Sequence, residues 1–108
     1  MYNLDDRGMR IEWDEQKERN NWRKHRVHFD VAARVFDDHH AVTAHDRVVD
    51  GEVRRQTIGV VPISTGGAMM LLVAHTAEDE EDNEVVRLVS ARKADAYERK
   101  TYEAAQTK

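Results

Sequence analysis

Three extended apolar runs in the second half of the chain constrain the fold more than any other feature. Residues 53–63, 68–76 and 85–91 are rich in Val, Ile, Leu and Met, and a Ser-Thr-Gly-Gly segment separates the first two. Such runs, bounded by turn-prone residues, predict strands. Because the connections are short, we expect the strands to pair antiparallel. Shorter strands are expected at residues 41–44 and, as an edge strand before the first helix, at residues 10–13.

Helices are predicted before and after these strands. Asp14 is placed to cap a charged helix that ends near His25, and Asp30 to cap a short second helix. Asp95 and Glu98 have the spacing of a capping box for a last helix of about ten residues. Its inward side is expected to carry Tyr97, Thr101 and Ala104 or Ala105.

These elements predict an α+β fold: a small antiparallel sheet with two N-terminal helices and one C-terminal helix. The helices are expected to cover one face of the sheet and to leave the other partly open. With 108 residues the chain has the size of one domain. Residues 1–8 have no periodicity, so we expect a ragged N-terminal extension followed by one domain over residues 9–108.

The composition excludes several classes of protein. The chain has no cysteine, which excludes disulfides, thiolate metal clusters and a cysteine nucleophile, and favours a reducing compartment. Its longest unbroken apolar stretch, residues 68–74, is far shorter than the roughly 20 residues that span a bilayer. We therefore expect a cytoplasmic protein without membrane association.

Positive and negative charges are segregated along the chain, although the net charge is −4. Six acidic residues lie between positions 78 and 84, whereas residues 17–28 hold five Lys or Arg and only one acidic residue, Glu18. A local basic field attracts a polyanion despite an acidic total. The first helix also has a single apolar residue, Trp22, so it is either a binding helix or merely a solvated one.

Recognisable metal and nucleotide motifs are missing. Neither His25 with His28 nor His45 with Asp46 supplies the three or four ligands of a zinc site. Gly66 and Gly67 lack the lysine of a phosphate-binding loop. We expect no metal and no cofactor.

The remaining candidates for chemistry are polar groups on or beside the strands: Glu52, Arg54, Arg55, His75, Arg87, Ser90 and Arg92. RNA is cleaved without metal when its 2′-hydroxyl attacks the neighbouring phosphate, which requires a base, an acid and cations that stabilise the developing charge. Two alternatives stay open. Arg87 is either such a cation or a structural partner of Glu52 or Glu84, and His75 is either functional or a hydrogen-bonded histidine at the rim of the sheet.

Short blocks in a fixed order resemble the BrnT family of toxins, which has a RelE-like ribonuclease fold. The blocks cover roughly residues 10–103 and comprise Ile11-Glu12-Trp13-Asp14-Glu15-Gln16-Lys17, Asn21, Lys24-His25, Phe29, Ala32, Val35-Phe36-Asp37-Asp38, Gly51-Glu52, Arg54, Thr57-Ile58-Gly59, His75-Thr76, Arg87, Ser90-Ala91-Arg92-Lys93-Ala94, Glu98 and Tyr102.

The resemblance implies a metal-independent endoribonuclease toxin of a type II toxin-antitoxin pair, which inhibits translation by cleaving RNA. It implies a BrnA-like ribbon-helix-helix antitoxin, two copies of each chain in the complex, and DNA contact only through the antitoxin. The catalytic residues it implies are Lys24, His25, Glu52, Arg54, His75, Arg87 and Arg92. Further RNA contacts are expected from Lys17, Arg19, Asn21, Arg23, Arg55 and Lys93.

The chain departs from the family pattern at two places. Arg26 stands where the family usually has a glycine, which would alter the end of the first helix. Ala77 and Glu78 stand where an arginine often follows His-Thr, which replaces a cation by a negative charge. The alternative function is an inactive adaptor or antitoxin-type module that binds a basic protein through the acidic segment.

Overall fold

The fold is α+β and is built around one mixed sheet. The structure is a computed structural model that describes residues 2–4, 9–80 and 83–107; for residues 2–4, 45, 46, 79, 80 and 83 it describes the backbone only. Its elements are β1 (Tyr2–Leu4), β2 (Arg10–Glu12), α1 (Glu15–His25), α2 (Phe29–Ala32), a 3₁₀ helix (Ala33–Asp37), β3 (Val42–Val49), β4 (Glu52–Pro62), β5 (Ala68–Thr76), β6 (Glu78–Glu80), β7 (Asn83–Lys93) and α3 (Ala96–Gln106).

The strand order is β1-β2-β7-β5-β4-β3, and β6 pairs with β7. The expected antiparallel pairing is confirmed for β3 with β4, β4 with β5 and β5 with β7. The sheet is nevertheless not wholly antiparallel, because β2 lies parallel to β7. The long stretch of chain between these two strands, which includes α1 and α2, permits that parallel arrangement. Residues 2–4, expected to belong to a ragged extension, pair with β2 as β1.

One face of the sheet, called here the helical face, is covered by α2, the 3₁₀ helix and the segment that follows α1. Its core includes Phe29, Val35, Leu71 and Leu88, all fully buried, among a cluster of twelve buried residues. The alternation of side chains along a strand sends neighbouring residues to the opposite face. That face is called the open face below.

At one end of the open face α3 packs on a smaller apolar cluster. Ile58, Leu72 and Ala94 are buried there, and Tyr102 packs against them. Helices therefore lie on both faces, contrary to our expectation of one covered face. The predicted inward side of α3 is also wrong, since Tyr97 is 79% exposed and α3 turns Tyr102 to the sheet instead.

The ends of the helices follow the predicted caps in two of three cases. Asp14 accepts a hydrogen bond from the backbone N–H of Gln16, and Asp95 with Glu98 forms a complete capping box. Asp30, however, lies inside α2, whose N-cap position is His28. The side chain of His28 makes no capping bond; Glu18 Oε2 accepts from the Phe29 N–H at 2.7 Å instead.

Two side chains replace missing strand neighbours at free sheet edges. The amide of Asn21 pairs with both backbone groups of Ala91, accepting from its N–H and donating to its carbonyl, each at 2.9 Å. Beyond the end of β3, the Val60 N–H donates to Asp38 Oδ2 at 2.9 Å. These bonds satisfy backbone groups that a strand would otherwise pair. Asn21 thereby fixes α1 beside β7.

No helix in the described part of the chain is long and apolar enough to cross a membrane.

Candidate functional site

A row of arginines crosses the open face of the sheet. Arg47 pairs with Arg54, and Arg54 with Thr76, across β3, β4 and β5. His75 pairs with Leu88, so an antiparallel ladder places Arg87 beside Thr76, one step further on. On the other side of Arg87, its partner is Glu12 of β2. With strands about 4.8 Å apart, Arg54 and Arg87 are separated by about 10 Å at the backbone, on either side of Thr76.

Each arginine of this row that the sequence predicted has a nearby carboxylate. Arg87 donates to Glu12 Oε1 at 3.1 Å, and 57% of its side chain is exposed. Arg54 Nε lies 3.4 Å from Glu52 Oε1 but is not aligned for a hydrogen bond. The Nε atom is buried and donates to no described group. Arg54 therefore retains an unused donor next to Glu52, while a quarter of its side chain is exposed.

Arg92 lies on the same face but away from this row. It is five positions from Arg87 along β7, or roughly 15 Å. Its guanidinium forms a two-pronged ion pair with Glu98 of α3, with both N–O distances at 2.9 Å. The hydrogen bonds to Glu98 raise the pKa of Arg92 above its ordinary value, although burial opposes this effect. Arg92 thus attaches α3 to the sheet.

A second group of cations lines a cavity between α1 and β7. The cavity has a volume of about 210 Å³ and is lined by Lys17, Asn20, Asn21, Lys24, His25, Val89 and Ser90. A β-bulge at its inner wall leaves Val89 without a partner, since Ala74 pairs with Ser90 and His75 with Leu88. Ser90 shares the open face with Arg87 three positions before it. The cavity therefore lies beside the arginine row.

His75 is enclosed rather than placed at the rim of the sheet. It is 3% exposed and packs edge to face with the Phe36 ring, with ring centroids 5.0 Å apart. Its Nδ1 lies 3.0 Å from the Thr76 carbonyl, which only accepts, so Nδ1 carries the proton. Nε2 then accepts from the Thr57 hydroxyl at 2.7 Å, and Thr57 Oγ1 accepts from Thr43 at the same distance.

Burial lowers the pKa of His75; a bond to the Thr76 carbonyl opposes this, and the charge of Arg55 adds to it. Both ring nitrogens are engaged and the ring is neutral. This geometry suits a residue that fixes strands β3, β4 and β5, and it keeps the imidazole away from a substrate on the open face.

The other residues predicted to contact RNA are dispersed. Arg55 faces the opposite side of the sheet from Arg54, in register with His75. Asn21 is buried and has its amide engaged with Val27 and Ala91. Arg19 and Arg23 lie on the side of α1 that is turned away from the cavity; Arg19 donates to Gln16. The exposed Lys93 pairs with Leu71 and thus shares the helical side of β7.

Two members of the row were missed by reasoning from sequence. Glu12 carried a signal, because the alternation of Arg10, Ile11 and Glu12 puts both charged side chains opposite the buried Ile11. The parallel pairing that brings Glu12 to Arg87 has no local signal. Arg47 is brought into register with Arg54 by a bulge in β3, between His45 and Arg47, which the sequence does not mark.

A larger cleft of about 610 Å³ lies beside the C-terminal end of α3. It is lined by Arg34, Asp37, Asp38, His39, His40, Val60, Pro62 and Tyr102. The hydroxyl of Tyr102 donates to Asp38 Oδ2 at 2.8 Å. Burial and this bond raise the pKa of Tyr102 to about 12, so the phenol stays protonated. For Asp38, burial raises the pKa, but bonds from Val60, His40 and Tyr102 outweigh it and lower the pKa overall.

Within residues 9–80 and 83–107, no group of three or more His, Asp or Glu side chains is arranged to hold a metal ion. The side chains of His45 and Asp46, considered as ligands above, lie outside the described part.

An α+β domain with arginines across one sheet face and lysines along the adjoining helix has the charge pattern of a nucleic-acid-binding protein. Residues 13–98 match the family described as ribonuclease toxin, BrnT, of type II toxin-antitoxin system. The match covers most of the chain, and the chain belongs to this family. No curated protein is similar to the chain at a significant level.

Proposed function

We propose that this ribonuclease toxin is a metal-independent endoribonuclease that acts in the cytoplasm and stops translation by cleaving RNA. The observation that carries the proposal is the row of Arg54 and Arg87 on either side of Thr76, on the open face. Guanidinium groups grip phosphate oxygens through paired hydrogen bonds. A phosphodiester between the two arginines would be held from both sides.

In this mechanism the two arginines are the only cations needed to stabilise the reacting phosphate. The 2′-hydroxyl attacks the neighbouring phosphorus, a base takes its proton, and the P–O5′ bond breaks as the departing oxygen takes a proton. The negative charge that develops on the phosphate oxygens is stabilised by Arg54 and Arg87. The products are a 2′,3′-cyclic phosphate and a 5′-hydroxyl.

Glu52 is our candidate for the base, because its carboxylate lies 3.4 Å from Arg54 Nε and is partly exposed. Lys24 and His25, which line the α1–β7 cavity, are candidates for the proton donor from the other side. A base and an acid on opposite sides of the phosphate suit an in-line displacement.

An antitoxin partner is expected from the type II family. We propose that it is BrnA-like, that two copies of each chain assemble, and that it silences the toxin by covering the arginine row. An acidic or amphipathic antitoxin segment would complement the charge of that surface.

Cleavage of a single-stranded RNA by the purified toxin in excess EDTA tests the proposal. We expect unchanged cleavage and products that end in a 2′,3′-cyclic phosphate. Arg54→Ala/Arg87→Ala, purified in the same way, controls for contaminating nucleases and should be inactive. Loss of cleavage in EDTA with recovery on adding Mg²⁺ would overturn the metal-free mechanism.

A further inference from the structure

The α1–β7 cavity differs from the arginine row in that its cations are not neutralised. Neither Lys17, Lys24 nor His25 forms an ion pair or hydrogen bond with a described residue, and the residues that line the cavity include no carboxylate. In the arginine row, by contrast, Glu12 and Glu52 accompany the arginines. An uncompensated pair of lysines beside a hydroxyl is favourable for an anion.

The cavity is also rigidly built on its inner side. The Asn21 side chain donates to the carbonyls of Val27 and Ala91, at 2.8 and 2.9 Å, and accepts from the Ala91 N–H at 2.9 Å, which attaches the middle of α1 to both residues. Lys17 and Lys24, four positions before and three after Asn21, lie on the same side of the helix. The bulge at Val89 brings Ser90 to the cavity wall. Helix and strand are thus held at a fixed separation.

We propose that this cavity binds a second phosphate of the RNA strand, next to the scissile one. The inference rests on the proposed function, because it requires an RNA on the open face. Ser90 is three positions from Arg87, about 10 Å along β7, so a strand that reaches one group reaches the other within one or two nucleotides. Phosphate contacts of this kind position a substrate without reading its sequence.

The second phosphate would fix the line along which the RNA crosses the sheet. An RNA with one phosphate in the cavity and another between Arg54 and Arg87 would be held at two separate points. The cavity therefore acts in substrate alignment, and loss of its two lysines should weaken binding of RNA. Binding of a non-cleavable strand measures this effect separately from any part that Lys24 takes in proton transfer.

The test compares RNA affinity between variants that carry the same change in charge. Lys17→Gln/Lys24→Gln removes the cavity cations. Arg19→Gln/Arg23→Gln removes two charges from the opposite side of the same helix, and Arg99→Gln/Lys100→Gln removes two exposed charges from α3. Binding of a non-cleavable 2′-deoxy oligonucleotide is measured for each from 50 to 300 mM salt.

We expect the cavity variant to bind about tenfold or more weakly, as for loss of charge-assisted bonds, and its salt slope to fall by about 0.7, because one phosphate contact to a single strand is lost. The other two variants should lose less. Equal losses in all three would show a general charge effect and overturn the inference, as would an unchanged cavity variant.

The outcomes also separate the two proposals. A wild-type protein that cleaves RNA while the cavity variant binds normally would remove the second phosphate site and leave the ribonuclease proposal intact. A wild-type protein that binds RNA through the cavity without cleaving it would contradict the ribonuclease proposal and leave the phosphate site intact. If the cavity variant kept its RNA affinity but lost affinity for the antitoxin, the cavity would hold a carboxylate of that partner, and the phosphate assignment would be wrong.

Discussion

Arg87 and Arg10 share one carboxylate: Arg87 lies 3.1 Å from Glu12 Oε1, and Arg10 lies 3.7 Å from Oε2. More than half of the Arg87 side chain is exposed, so its ion pair contributes at most about 1 kcal/mol to stability. We expect Arg87→Ala to reduce cleavage by about 10²-fold or more, as loss of one transition-state donor does, with little effect on folding. Cleavage rates and thermal unfolding of the same preparation check both parts.

Arg92→Ala is the matched comparison within the same strand. Because Arg92 holds Glu98 through two bonds of 2.9 Å, and Glu98 also completes the capping box of α3, the change should lower the free energy of unfolding by about 1–3 kcal/mol. The specific activity of the folded fraction should stay near normal. A stable but inactive Arg92→Ala would return this residue to the catalytic set, and a destabilised but active Arg87→Ala would remove Arg87 from it.

His75 gives the protein a dependence of stability on pH. Its folded-state pKa is lower than its unfolded-state pKa, so the unfolded chain binds the proton first as the pH falls. The contribution of His75 to the free energy of unfolding is therefore fully present above its unfolded-state pKa, near 6.5. It is lost as the pH falls from there towards the folded-state pKa. The slope approaches about 1.4 kcal/mol per pH unit.

His75→Gln should remove this contribution, since an amide does not titrate. Urea unfolding at pH 7 and pH 5 is expected to show a smaller pH effect in the variant than in the wild type. Equal pH effects in the two proteins would show that His75 is not the group responsible.

At the scale of elements, the attachment of α1 depends on one buried amide. Asn21→Ala would leave the N–H and carbonyl of Ala91 and the carbonyl of Val27 without partners, which should cost about 3 kcal/mol. Asn20→Ala, one position away and exposed, should change stability by less than about 0.5 kcal/mol. Chemical denaturation of both variants measures the difference. Similar values for the two would mean that α1 is held by other contacts.

The sequence predicted those helix ends that depend on residues close to one another in the chain. The caps at Asp14 and Asp95 depend on residues within three positions, and both are confirmed. The end of α1 was less predictable. Arg26 adopts the left-handed conformation, with φ 58°, that a glycine would take without strain, and its guanidinium lies 5.4 Å from the centroid of the Trp22 ring. That cation–π contact offsets part of the backbone strain, so the helix end is not altered.

For the whole molecule, the sequence predicted the α+β class but only part of the topology. The antiparallel pairs β3–β4 and β4–β5 join consecutive strands, which short turns dictate, and β5 pairs with β7, the next long strand of the chain. The parallel pair of β2 with β7 joins residues about 75 positions apart, such as Glu12 and Arg87, and no local pattern reports such a contact. The same limit applied to the site. The sequence located Arg54 and Arg87 on strands, but only the register decides that they share a row and that Arg92 stands apart.

An antitoxin that covers the arginine row should change both the hydrogen exchange of the toxin and its binding of RNA. In the complex, amide hydrogen exchange of β5 and β7 near Thr76 and Arg87 should slow, and added antitoxin should compete with RNA for the toxin. The affinity for antitoxin should fall as salt rises, because the surface it covers is cationic. Simultaneous binding of RNA and antitoxin would contradict occlusion of this face.

The bulge between His45 and Arg47 lies in β3, the strand at the outer edge of the sheet. A flat edge strand of eight residues offers unpaired backbone groups to any other chain, and such edges promote aggregation. The bulge interrupts the regular spacing of those groups midway and adds local twist. The irregularity that brings Arg47 into the arginine row thus also protects the free toxin from joining further copies of itself, sheet to sheet, whenever its antitoxin has been removed.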